Sequence, residues 1–154
     1  MGLFSFLKNA GTKLFGSKAE ANDESAKVDK VIALKEAVLG LELNINDFDI
    51  DVDGDNVNVR GVVESQETRE KVILALGNVH GVATVTDEIE VISPEPEAVF
   101  YEVKSGDTLS KIAKAHYGNA MKYNEIFEAN KPMLKDVNLI YPGQVLRIPP
   151  LNED

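Results

Sequence analysis

The chain has 154 residues, no cysteine and a formal net charge of −10 at pH 7. A strongly acidic chain lacks the basic surface that nucleic acids require, so we exclude a nucleic-acid partner. Without cysteine there is neither a disulfide framework nor a thiolate metal site. The two histidines, His80 and His116, are far apart in sequence, which disfavours a zinc site and a Ser-His-Asp triad. We therefore expect a protein without catalytic activity.

The first 18 residues are apolar with interspersed lysines. Leu3, Leu7, Ala10 and Leu14 recur at helical spacing, so we predict an amphipathic helix over residues 1–18. Such a helix either packs on the domain that follows or lies on a membrane surface, and we favour packing. The stretch lacks the basic start and the long apolar run of a secretory signal, and no segment is long enough to span a membrane. We therefore expect a cytoplasmic location.

Residues 25–92 are predicted to fold as an α+β unit with the order helix, strand, strand, helix, strand. "AKVDKVIALKEAVLGLEL" has the apolar period of a helix. "SQETREKVILALGN" is predicted to be the second helix, with Ser65 as its N-cap and Gly77 in the left-handed conformation that closes it. The sequence "SPEPEA" at 93–98 is predicted to be a linker, because two prolines cannot continue a strand ladder.

The acidic stretch "DFDIDVDGDN", residues 47–56, looks like the front half of a calcium-binding EF-hand loop. A loop beginning at Asp49 would need a bidentate glutamate at position 12, where this chain has Arg60. On both sides of Asp53-Gly54, apolar residues alternate with polar ones, a pattern typical of a β-hairpin. We therefore predict a hairpin with a charged outer face, in which Arg60 pairs across the strands with an aspartate.

Residues 99–149 are predicted to fold as strand, helix, helix, strand (βααβ). Within them, residues 101–149 resemble a LysM domain through "YEVKSGDTLSKIA", "HYG", "ANKP" and "IYPGQVLRIP". LysM domains commonly bind N-acetylglucosamine polymers through two loops, which correspond here to residues 106–108 and about 130–134. Because no export signal would bring the chain to peptidoglycan, we expect a structural or ion-stabilising role for this domain.

The order of elements in residues 25–92 and the ending "GNVHGVATVTDEI" resemble a BON domain. The start "MGLFSFLKNAG", the BON-like middle and the LysM-like end together resemble the cytoplasmic bacterial potassium-binding proteins that join these two domains. The resemblance implies reversible binding of K⁺ by a monomer, with a more compact bound form. The alternative is a glycan-binding or cell-envelope module that acts through the LysM-like part, with weak glycan or membrane contact.

A physical route to K⁺ binding exists in two helix ends that are predicted to close at glycine. K⁺ suits rings of backbone carbonyls better than clustered carboxylates. The last carbonyls of a helix lack intrahelical partners and carry the negative end of the dipole. "LKNAG" and "ALGNVHGV" offer such carbonyls, and His80 is predicted to be a solvated loop residue. Given the resemblance, we predict that one K⁺ is held by the carbonyls of Leu7, Ala10, Gly77, Val79 and Val82.

Overall fold

The computed structural model of the protein describes residues 2–6, 24–79 and 81–150. It has the predicted α+β class, and its elements are β1 Gly2–Ser5, α1 Glu24–Leu39, β2 Ile45–Asp53, β3 Asn56–Ser65, α2 Gln66–Gly77, β4 Thr84–Ser93, β5 Val99–Glu102, α3 Leu109–Tyr117, a 3₁₀ turn Ala120–Lys122, α4 Tyr123–Ala129 and β6 Val145–Ile148. The order α1-β2-β3-α2-β4 confirms the predicted BON-like part, and β5-α3-α4-β6 confirms the LysM-like part. None of the helices in these ranges is both long and apolar enough to cross a membrane.

The BON-like part is a four-stranded sheet in the order β1-β4-β3-β2, with α1 and α2 packed against it. Strands β3 and β4 are parallel, since α2 forms the crossover between them, while β1 and β2 are antiparallel edge strands. The Ser65 hydroxyl accepts a hydrogen bond from the Thr68 amide at 3.2 Å, which confirms the predicted N-cap of α2. The core is formed by the buried residues Leu34, Val38, Ile50, Val52, Val57, Val59, Val63, Val72, Ile73, Leu76, Val79, Val82, Val85 and Ile89.

The predicted hairpin is confirmed by strands β2 and β3. Asp53 pairs with Asn56 across a two-residue turn, and Gly54 at its first position has φ of 62°, as in type II′ hairpin turns. Ile50 and Val52 point into the core while the aspartates alternate with them on the outer face. The stretch is therefore two paired strands, which excludes the helix–loop–helix geometry of an EF-hand.

The alternation is interrupted near the start of β2. The register shifts between Asn46 and Asp49, and Asp47 takes a positive φ of 54°. A shift of this kind is a β-bulge, which twists an edge strand and makes it a poorer template for pairing with other chains.

Asp49 is the aspartate that pairs with Arg60, as predicted. Arg60 Nη2 lies 2.7 Å from Asp49 Oδ2, and Lys35 Nζ from helix α1 lies 3.0 Å from Asp49 Oδ1. The hydrogen bond from Arg60, followed by that from Lys35, lowers the pKa of Asp49 from 3.8 to about 2. The two cations thus bind one carboxylate on the hairpin surface and stabilise its charged form.

We expect Arg60→Gln to raise the pKa of Asp49 towards its usual value, and to raise it more than Lys35→Gln does, because the hydrogen bond from Arg60 is the larger cause. Since the folded-state pKa lies below the unfolded value, the stabilisation is fully present above about pH 4 and is lost as the pH falls through about 2. Carboxyl-carbon NMR titration measures this pKa directly. A wild-type Asp49 that titrates near 3.8 would contradict the pairing.

The predicted N-terminal helix over residues 1–18 is wrong for its first residues, because Gly2–Ser5 is a strand paired antiparallel with β4. Leu3 is 67% exposed, whereas Phe4 and Phe6 turn towards the protein, so the alternation is that of a strand. The rings of Phe4 and Phe100 lie 5.1 Å apart. Residues 2–6 therefore pack on the protein, as we favoured. Residues 7–18 lie outside the described part of the chain.

The LysM-like part is built on the antiparallel pair β5-β6, with α4 packed against β6 and α3 packed against α4. Thr108 caps α3 by accepting a hydrogen bond from the Lys111 amide at 3.1 Å, and Gly118 ends that helix in the left-handed conformation with φ of 74°. Its core contains the buried residues Val103, Leu109, Ile112, Ala113, Ile126, Leu134, Leu146 and Ile148.

A buried ion pair joins the two parts. Glu70 on α2 is 2% exposed and Arg147 on β6 is 7% exposed. Glu70 Oε1 accepts a hydrogen bond from Arg147 Nε at 2.9 Å, and Arg147 Nη2 lies 2.8 Å from the same oxygen as an ion-pair contact. Glu70 Oε2 accepts from Gln66 Nε2 and from the Ala98 amide, each at 3.0 Å. A carboxylate bonded from a helix, the connecting segment and a strand holds these elements in one arrangement.

We expect Arg147→Met to lower the free energy of unfolding by about 3–5 kcal/mol, because it leaves the Glu70 carboxylate buried without a cation. The double variant Glu70→Gln/Arg147→Met should be more stable than Arg147→Met alone, since neither group is then charged. The matched control is Lys131→Met, which breaks an exposed 3.2 Å pair with Glu128 and should cost at most about 1 kcal/mol. Urea unfolding that gives equal losses for the two single variants would contradict this account.

Candidate ion site at the end of the second helix

Three of the five predicted ligand residues lie together where α2 ends. Gly77 is the last residue of the helix, and Val79 and Val82 follow in the loop that leads to β4. Val79 and Val82 are buried, with 3% and 1% of their surface exposed. The remaining predicted ligands, Leu7 and Ala10, lie outside the described residues, as does His80.

The carbonyls of this loop differ in their hydrogen bonding. The Asn78 amide donates to Leu74 O at 3.0 Å, and the Val82 amide donates to Val79 O at 3.1 Å. Among the loop hydrogen bonds of the described residues, none ends on the carbonyl of Gly77 or of Val82. A carbonyl oxygen has two lone pairs, so Val79 O keeps one for a further partner. With respect to the described donors, all three predicted carbonyls therefore retain acceptor capacity.

The glycine that bends this loop is Gly81, and the predicted left-handed role of Gly77 is wrong. Gly81 has φ of 100°, a backbone conformation that residues other than glycine rarely adopt. Gly77 instead belongs to helix α2. A Cβ atom at Gly77 would lie 2.0 Å from Cζ of Phe6. Any side chain at position 77 would therefore have to displace the Phe6 ring, and glycine avoids this clash.

Phe6 also fastens the N-terminal strand beside the loop. Its amide donates a 2.8 Å hydrogen bond to the Ala83 carbonyl, one residue after Val82. With its ring on Gly77, Phe6 touches both ends of the segment that carries the predicted ligands. The described part of the N-terminal segment thus ends beside residues 77–82, which carry three of the predicted ligands and which we call the ion loop.

The donor set suits a large, weakly hydrated cation. Within the described ranges, no group of three or more His, Cys, Asp or Glu is arranged to hold a metal ion. The ion loop instead supplies neutral carbonyl oxygens at the C-terminal end of a 12-residue helix, where the helix dipole is negative. Such oxygens match the coordination preference of K⁺, while Ca²⁺ and Mg²⁺ sites typically include carboxylates. The residues present therefore fit K⁺.

Asn78 is a residue of this region that the sequence analysis did not identify. Its Oδ1 accepts from the Val145 amide at 2.8 Å, and its Nδ2 donates to the Val145 carbonyl at 2.8 Å. The side chain thus connects the ion loop to strand β6 of the LysM-like part. No local sequence pattern around Asn78 predicts this contact, because its partner Val145 is distant in sequence. The burial of Glu70 could have been predicted from the sequence, because Glu70 shares a helical face with Ile73 and Gly77.

The loops that the LysM resemblance assigns to glycans make local contacts. Asp107 Oδ2 accepts from the Tyr101 hydroxyl at 2.6 Å and from the Lys104 amide at 2.9 Å. The hydrogen bond with Tyr101 lowers the pKa of Asp107 and raises the pKa of Tyr101. Asn130, in the second loop, is buried and bonded to Arg147. Asp107 and Thr108 thus form the turn and the N-cap at the start of α3.

We expect Gly77→Ala to destabilise the protein by about 1–3 kcal/mol, because the new methyl group must displace the Phe6 ring. In a double-mutant cycle, Gly77→Ala should cost much less when Phe6 is already alanine, since the clash is then removed. Urea unfolding of the four proteins gives the coupling. Additive losses would show that Phe6 is not what requires glycine at position 77.

Comparisons with known proteins agree with this architecture. The BON domain family model matches residues 33–93, and the LysM domain family model matches residues 101–149. The potassium binding protein Kbp of Escherichia coli O6:H1 is 45% identical over 152 residues, which cover 97% of this chain and 99% of that protein. An uncharacterized protein of Deinococcus radiodurans is 51% identical over 49 residues, which cover 32% of this chain and 19% of its own length.

The element order, the two domain matches and the near full-length identity to Kbp point to one conclusion. The chain belongs to the family of BON–LysM proteins that includes the potassium binding protein Kbp.

Proposed function

We propose that this protein binds K⁺ reversibly in the cytoplasm and acts as an ion-binding or ion-sensing protein without catalysis. The ligands are the backbone carbonyls of Gly77, Val79 and Val82 together with those of Leu7 and Ala10. The proposed units are residues 25–92 and 99–149, joined by the linker 93–98. The relative Kbp, named for potassium binding, supports the choice of ion.

One observation carries the position of the site. Phe6 packs on Gly77 and bonds to Ala83, so the chain leaves β1 beside a loop whose Gly77 and Val82 carbonyls have no backbone donor among the described residues. Two segments distant in sequence thereby meet at carbonyl oxygens. Such convergence suits a carbonyl cage, because carbonyl oxygens must replace the hydration shell of the ion on several sides.

The loop residues contribute to binding through their backbone. The helix dipole of α2 places partial negative charge at its C-terminal carbonyls, and Gly81 turns the chain so that successive carbonyls need not point in one direction. Binding shifts the protein towards the conformation in which the N-terminal segment and the ion loop are both ordered. The expected compaction follows from this shift.

Titration calorimetry with KCl, NaCl, CaCl₂ and chitin oligomers, together with small-angle scattering, tests the proposal. We expect saturable binding of K⁺, no comparable binding of Na⁺, and a smaller radius of gyration in KCl. Binding of chitin oligomers combined with indifference to K⁺ would overturn the proposal and favour the glycan-binding alternative.

We expect Gly81→Ala to weaken K⁺ binding by at least about tenfold, because alanine is strained at a φ of 100° and reorients the loop carbonyls. The matched control is Gly106→Ala, which introduces the same residue at a φ of 88° in the LysM-like turn, where a Cβ meets nothing within 4 Å. Gly106→Ala should lose stability and retain the wild-type affinity for K⁺. Equal affinities in both variants would place the site elsewhere.

A further inference from the structure

Two asparagine side chains bond along one edge of strand β6. Asn130, from the same LysM-like part, accepts from the Arg147 amide at 2.9 Å and donates to the Arg147 carbonyl at 3.0 Å. Asn78, from the ion loop, makes the same pair of bonds to Val145, both at 2.8 Å. Each amide takes the place that a residue of a neighbouring strand would take in a sheet.

The chemistry of the asparagine amide explains this arrangement. A side-chain amide carries one carbonyl acceptor and an NH₂ donor in one plane, as a peptide pair does. Aspartate has no donor and would place a carboxylate oxygen against the Val145 carbonyl. Alanine would remove both bonds and leave the amide and carbonyl of Val145 without these partners. The position therefore requires a short side chain with both functions.

We propose that Asn78 is a positioning residue for the ion site, which couples the ion loop to strand β6. Asn78 lies between Gly77 and Val79, so fixing its side chain to Val145 restricts the two peptide planes that flank it. The first of these planes presents the Gly77 carbonyl, and the second carries the amide of Val79 and so limits where the Val79 carbonyl can lie. The inference rests on the proposed function and adds the residue that orients the ligands. Asn78 contributes its side chain to β6 and leaves the ion to its neighbours' backbone.

The coupling acts in both directions. A loop that samples several conformations binds with an apparent affinity reduced by the fraction in the competent conformation. Attachment to β6 raises that fraction before the ion arrives. By linkage, K⁺ must then strengthen the attachment by the same factor. The amide of Val145, in a different domain from the ion loop, therefore reports on K⁺ binding.

The experiment compares Asn78→Ala and Asn78→Asp with Asn58→Ala and Asn58→Asp. Asn58 is a matched control, because it lies on the sheet face of the same domain and makes a 3.4 Å bond to Asn56. In K⁺-free buffer, we expect the Val145 amide to exchange its hydrogen at least about tenfold faster in the Asn78 variants alone. Calorimetry with KCl should give about tenfold weaker binding for Asn78→Ala, and weaker binding still for Asn78→Asp.

A second measurement uses the wild-type protein alone, so its outcome does not depend on whether a variant folds. Addition of KCl, but not of NaCl, should slow exchange of the Val145 amide. Wild-type K⁺ binding with an unchanged affinity in Asn78→Ala, or with no effect of K⁺ on Val145, would overturn the coupling alone. Absence of K⁺ binding by the wild-type protein would overturn the proposed function and the coupling with it.

Discussion

The arrangement of the whole molecule depends on the carboxylate of Glu70. It is almost fully buried, forms an ion pair with Arg147 and accepts three hydrogen bonds, from Arg147 Nε, from Gln66 and from the Ala98 amide. A buried charge is tolerated only when it is paired and its acceptor sites are used. Since these donors come from a helix, a connection and a strand, the two domains cannot separate without leaving charges unpaired.

Helix α2 connects the buried ion pair of Glu70 with the ion loop, so the ion pair also restricts the position of that loop. Glu70 and Gly77 are seven residues apart on one helical face, so the helix held by Arg147 ends where Gly77 meets the Phe6 ring. A second ion pair, between Arg69 and the fully buried Asp87, holds the same helix to strand β4. The loop that follows is thus bounded by the N-terminal strand, the helix and, through Asn78, the LysM strand β6.

The acidic hairpin and the proposed ion loop differ in the oxygen atoms that they offer to a cation. On the hairpin, Asp49 is neutralised by Arg60 and Lys35 from the protein itself. The net charge of −10 attracts cations of every kind from a distance, and salt screens this effect. Carbonyl oxygens held by a helix end and a glycine turn offer less charge and more geometric control. Discrimination among monovalent cations depends on such control, because these ions share one charge.

The local sequence determined whatever depends on neighbours within a few residues. Alternation around Gly54 predicted the hairpin, Ser65 predicted its helix cap, and the LysM-like motif predicted the fold of residues 101–149. Each of these follows from backbone period, from a capping side chain or from a motif whose parts lie close together.

Only the tertiary structure decided the contacts between distant segments. Residues 2–5 are too few for their apolar spacing to separate helix from strand, and pairing with β4 makes them a strand. Gly77 lies against the Phe6 ring, and Asn78 bonds to Val145, 67 positions away. A sequence pattern shows which residues can be buried or can form hydrogen bonds. Which residue becomes the partner is decided only when the chain folds, because the packing of the intervening elements brings the two residues together.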